Sequence, residues 1–167
     1  MVIVNAYGDI KKQSWPYAET MEQAVPLSSI VVSPQILQTI GSEDTAVLSK
    51  IGLRLAVEDS IRDIEAYISQ LALIELEFSN FKDGRPFSAA VSLRQAHRFK
   101  NDLRATGDII PDQALFLVRA GFSSMAIPAH FNSGQFQSAL SAYSLAYQPS
   151  HEDALSHIPS LRRQILS

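Results

Sequence analysis

Ala72-Leu-Ile-Glu-Leu-Glu-Phe78 leads through a turn-rich Phe81-Lys-Asp-Gly-Arg-Pro86 into a helical stretch, and from there into Leu103-Arg-Ala-Thr-Gly107. A short apolar run bounded by turn residues reads as a strand. Two such runs separated by a helix make the crossover unit of a parallel sheet. Glu75 and Glu77 alternate with Ile74, Leu76 and Phe78, so both carboxylates share one face of the first strand. Working outward, similar runs occur at Ser29 to Ser33, Gly52 to Val57 and Ser124 to Ile127, with Val2 to Asn5 as an edge strand or hairpin element. The pattern predicts an α/β fold: a mainly parallel sheet of about five strands with crossover helices. An open doubly wound sheet and a partial barrel fit it equally.

The intervening stretches carry helix signals. Asp59-Ser60 offers cap oxygens ahead of Ile61, Ile64, Ile68 and Leu71, and Ser60-x-x-Asp63 imitates a capping box. Residues Phe87 to Phe99 form a mostly polar helix with Val91 and Leu93, less buried than its neighbours. Pro111 suits the first turn of a helix running to Ala120, and Gly121 suits the left-handed position that ends it. Ala114 to Val118 is apolar all round, which predicts packing on two sides. A further helix spans Ser133 to Tyr147. The chain therefore divides into an N-terminal extension (1–28), a single α/β domain (29–149) and a C-terminal tail (150–167).

Composition narrows the function. Of 167 residues, 46% are apolar and 19% charged, the balance of a soluble globule. A net charge of −3 is too small to steer the whole molecule to nucleic acid or an anionic membrane, so any anion site is local. The absence of cysteine removes disulfides, thiolate nucleophiles and cysteine-held metals. His97, His130, His151 and His157 are scattered without metal-ligand spacing, so no metal site and no cofactor are expected. Met1-Val-Ile-Val lacks a basic start and a long apolar run, which predicts a cytoplasmic protein.

Gly, Asp, Arg, Ser and Gln gather between residues 81 and 122, where a sheet has no need of them. In a parallel sheet the loops after Phe78 and Gly107 open on one edge, the carboxyl edge, where ligands of α/β folds collect. The first loop supplies Asp83, Gly84, Arg85 and Ser88. The second supplies Thr106, Gly107 and Asp108, with Gln113 just beyond, and Arg104 completes the set if it points the same way. Arg85 offers a planar fork for sulfate, phosphate or carboxylate, and the glycines admit close backbone approach. Gly84, Arg85, Ser88, Arg104, Gly107 and Gln113 are thus candidate binding residues. Asp83, Asp108 and Glu77 are candidate proton-moving residues. A purely structural network fits too: Asp83-Gly84 as a tight turn, Arg85 paired with Asp83 or Asp108, and Ser88 as a cap. Pairing of Glu75 and Glu77 with a helix arginine such as Arg94 or Arg119 is the structural alternative to acid–base work. Ser88 lacks a nucleophile elbow. Arg94, Arg98 and Lys100 read as a solvated basic strip or a docking site for an acidic partner.

Phe81-x-Asp-Gly-Arg, Leu103-Arg-Ala-Thr-Gly-Asp108, Asp112-Gln113, Arg119-Ala-Gly-Phe122 and the ending Ala146-Tyr-Gln-Pro149 together resemble the bacterial domain-of-unknown-function family 934. Pro86 stands where that family usually has glycine, and Ser123-Ser124 where an aspartate often follows Gly-Phe. Its members are commonly described as probable oxidoreductases of sulfite reduction. With no nucleotide fingerprint and no cysteine, the resemblance implies an accessory protein of assimilatory sulfate or sulfite reduction, with a sulfite-reduction enzyme as partner and an oxyanion cleft. The alternative is a small enzyme acting on an anionic substrate. An exposed sheet edge would also allow a homodimer.

Overall fold

The computed structural model describes residues 2–11, 15–24, 29–41 and 45–142. Its centre is one sheet of seven strands: β1 (Val2–Asn5), β2 (Ile10–Lys11), β3 (Ile30–Val32), β4 (Ile51–Leu55), β5 (Leu73–Phe78), β6 (Asp102–Gly107) and β7 (Ser124–Ile127). The spatial order is β2-β1-β7-β6-β5-β4-β3. β3 to β7 are mutually parallel, and the β1–β2 hairpin joins antiparallel to β7. The expected α/β architecture with a five-strand parallel core is present, and the sheet is open. Its order follows the chain without the reversal that defines a doubly wound sheet, so there is no switch-point crevice.

That order puts the helices on one side, because right-handed crossovers between successive neighbours all pass over the same face. Burial agrees. Ile51, Leu53 and Leu55 of β4, Ile74, Leu76 and Phe78 of β5, and Leu103 and Ala105 of β6 form one core cluster with helical residues. The helical partners include Ile36 and Leu37 of α2 (Pro34–Ile40), Ala90 and Leu93 of α4 (Arg85–Gln95), Leu117 and Val118 of α5 (Ala114–Ala120) and Phe136 of α6 (Ser133–Ser141). Two short helices, α1 (Met21–Ala24) and α3 (Thr45–Leu48), complete the set. Phe78, Phe87 and Phe122 meet edge-on or tilted at centroid distances of 5.2, 6.0 and 6.4 Å, pinning α4 and the end of α5 to the carboxyl end of β5. No helix among the described residues is long and apolar enough to cross a membrane.

Three helix expectations change. The stretch after Val57 is not an α-helix but two 3-10 turns, Ile61–Ile64 and Ile68–Gln70. Their backbone bonds run three residues apart, from Asp63 N to Ser60 O and from Gln70 N to Tyr67 O. Ile64 and Ile68 still reach the core, because a spacing of three or four serves either geometry. α5 packs on one side only: Phe116 is 59% exposed. Pro111–Gln113 forms a 3-10 turn ahead of it, and Gly121 ends it at φ +108°, left-handed as its sequence predicts. α2 went unread, although Ser33 caps it by accepting from Ile36 N and Pro34 opens it. The helix predicted from Ser133 is present to Ser141. Its extension to Tyr147 and the tail at 150–167 lie outside the described residues.

The outer edge of β3 is covered. Ala18 N donates to Val31 O (2.8 Å) and Val31 N to Pro16 O (2.8 Å), so residues 16–18 lie along it. This part of the extension is integral to the sheet.

Candidate functional site

Gly107 sets the geometry of the carboxyl edge. It has φ +87°, and a Cβ there would lie 2.3 Å from Phe78 O, so only glycine lets β6 turn away this close to β5. The turn brings Asp108 back, where its N–H donates to Phe78 O (2.7 Å). Asp108 Oδ2 accepts from Phe81 N (3.2 Å), and Gln113 Nε2 donates to Phe81 O (2.6 Å). Both polar groups of the Phe81 backbone are therefore held by the loop after β6. Asp108 and Gln113, two of the candidates, weld the two carboxyl-edge loops together.

Asp83 and Arg85 hold each other. Asp83 Oδ1 accepts from Arg85 N and Nε (3.0 Å each), and Oδ2 accepts from Nη2 (2.6 Å). The Arg85 side chain stays 70% exposed, and Nη1 has no partner among the described residues. Ser88 is exposed within α4 and does not cap it; Gly84 occupies that position. The first turn of α4 keeps no spare donor: Arg85 N goes to Asp83, Pro86 has none, and Phe87 N and Ser88 N go to Gly84 O.

The side-chain bonds from Arg85 hold the Asp83 carboxyl below its ordinary value of 3.8. With a depressed folded-state pKa, the contact contributes above the unfolded value and is lost as pH falls through the folded one. Carbon-detected NMR of the Asp83 carboxyl should give a midpoint below 3.8, moving up toward that value in Arg85→Ala.

Arg104 is elsewhere, whereas Glu77 borders one small cavity together with Arg85, Pro86 and Ala89. Arg104 alternates with core residues, so it lies on the face away from the helices. Arg104, 4% exposed, does not converge on the loops: Nη1 donates to Glu75 Oε1 (3.1 Å), Nη2 to Asp102 Oδ2 (2.9 Å) and Nε to Ser124 Oγ (3.2 Å). Arg54 closes the other side of Glu75, with Nε and Nη2 at 2.9 and 2.8 Å from Oε2 and its guanidinium 4.3 Å above the Tyr17 ring. Arg54, Glu75, Arg104 and Ser124 are register partners across β4 to β7 and form one lateral row. Glu75 is thus paired by strand arginines. Arg94 instead donates to the carbonyls of Gly121 (2.8 Å), Phe99 (2.5 Å) and Asn101 (2.9 Å). Sequence reasoning missed Arg54, Asp102 and Ser124; their signal was a polar residue recurring at alternate positions in neighbouring strands. Glu77 is half-buried and accepts no hydrogen bond from the described residues.

The motif-bearing segment is also what relates this chain to other proteins. Residues 52–158 match the family model described as bacterial protein of unknown function (DUF934). The chain belongs to this family. The matched DUF934 span includes every candidate residue from Glu77 to Gln113, and it leaves β1 to β3 outside. No curated protein and no solved structure matches the chain.

Proposed function

We propose that this DUF934 protein is a non-catalytic accessory component of assimilatory sulfate or sulfite reduction. Its carboxyl-edge loops bind an acidic group of a partner enzyme or a small oxyanion. The observation that carries this reading is Arg85, fixed in place by Asp83 yet 70% exposed with Nη1 free among the described residues. Exposed Phe81 and Lys82 stand beside it in sequence, with the Lys82 ammonium 5.5 Å from the Phe81 ring centroid. A preorganised guanidinium three residues from a second cation and four from an aromatic ring in sequence suits a carboxylate or sulfur oxyanion, because little freedom of the arginine side chain is left to lose on binding. Asp83 spends both of its oxygens and Asp108 its Oδ2 on the loops, which supports binding over proton transfer by Asp83.

A second reading, a small enzyme using Glu77 as acid or base on an anionic substrate, rests on that carboxylate having no partner among the described residues. Native mass spectrometry with the sulfite-reduction enzymes of the same host separates the two. Arg85→Ala should weaken the complex about thirtyfold or more, as for an interface arginine hot spot, while Glu77→Gln leaves it unchanged. A complex indifferent to Arg85→Ala removes the docking role. Turnover by the pure protein that disappears in Glu77→Gln replaces it with the enzyme.

A further inference from the structure

β6 and β7 part company at the carboxyl edge. Their register ends at Ala105↔Met125, although β6 continues against β5 to Phe78↔Gly107 and β7 continues against β1 to Val2↔Ile127. Thr106 and Gly107 therefore face Ala126 and Ile127 without a strand bridge between them. A cavity of about 510 Å³ occupies this split, walled also by Pro128 and Phe131. That volume falls within the range of small-molecule sites, roughly 300–1,000 Å³.

We propose that the split between β6 and β7 is a binding site for a neutral, flat small molecule with an amide-like hydrogen-bonding edge. Three observations carry this. Among the described residues no charged side chain lines the cavity, so an ion would lose its hydration there without compensation from them. Thr106 is 7% exposed, lines the cavity, and its hydroxyl has no partner among the described residues. An unmatched buried hydroxyl costs stability unless something in the cavity completes it. The strand ends that flank the split run on without each other, and a strand edge presents donors and acceptors side by side, which an edge carrying one N–H and one C=O matches. The apolar walls and the Phe131 ring suit the faces of a planar ring. This site is distinct from the Arg85 patch and takes a ligand of opposite character.

The probe is 2-quinolinone, with naphthalene lacking the polar edge and 2-naphthoate carrying a charge in its place. Amide chemical shifts of the full-length protein should move saturably with 2-quinolinone at Thr106, Gly107, Ala126 and Ile127, and little with the other two. Thr106→Val, which removes only the unmatched hydroxyl, should weaken 2-quinolinone about fivefold, the loss of one hydrogen bond, without lowering Tm. Ala129 is exposed at the cavity mouth, so Ala129→Trp should block binding with the fold intact. Shifts that fail to saturate, that map away from β6 and β7, that survive Ala129→Trp, or that are matched by 2-naphthoate overturn the proposal.

Discussion

Replacing Glu75 by alanine should destabilise the protein by about 3–5 kcal/mol, the cost of breaking a buried ion pair from one side. Glu75 is fully buried and its two oxygens serve two arginines, Arg54 and Arg104, on opposite strands. Removing it strands Arg104, which is 4% exposed, with Asp102 as its remaining carboxylate. Arg54 suffers less, because 23% of its side chain reaches solvent. Arg54→Met should therefore cost less than Glu75→Ala. Urea unfolding midpoints measure both, and a loss below about 1 kcal/mol for Glu75→Ala would place its energetics with surface ion pairs instead. The large penalty comes from an orphaned buried charge. It does not mean that the row stabilises the fold relative to an apolar one.

Gly107→Ala should cost about 3 kcal/mol or more. The added Cβ meets a backbone oxygen at 2.3 Å and the residue must hold φ +87°, so neither a rotamer change nor a small shift relieves it. The damage should also release Asp108 from Phe81, and with it the loop that presents Arg85. Gly84→Ala provides the contrast. At φ −84° with nothing within 4 Å of an added Cβ, it should be neutral or stabilising by about 0.5 kcal/mol. Equal losses in the two variants would show that the close approach to Phe78 is not what demands glycine.

Much of this architecture was legible because strand boundaries are written in alternation and punctuation. Val2 to Asn5 and Ser124 to Ile127 stand as read, since each is a short apolar run ended by a turn residue or proline. Periodicity alone did not separate an α-helix from 3-10 turns at Ile61, Ile64 and Ile68, where both geometries bury the same side chains. Phe116 looked like core because its neighbours are apolar; only the sheet's one-sided cover leaves it outside. For the candidate site, sequence placed the loops on one edge but could not assign side chains to faces. Arg104 shows the lesson: its alternation with Leu103 and Ala105 already put it with Glu75, yet its motif suggested the loops. The split between β6 and β7 left no sequence trace, because it is a pairing that stops rather than a residue that changes.

The strand order has a consequence for how the chain is made. From β4 to β7 every strand pairs with the one just before it, so a nascent chain can lay this part of the sheet down progressively as it emerges from the ribosome. The first strand is the exception. Ile3 pairs with Lys11 in its own hairpin and with Ala126 of β7, so β1 can join the parallel strands only once β7, the last described strand, has been made. Until then the exposed flank of β7 has no occupant, and that interval is when a growing chain of this kind is most open to chaperones and to stray strands from other molecules.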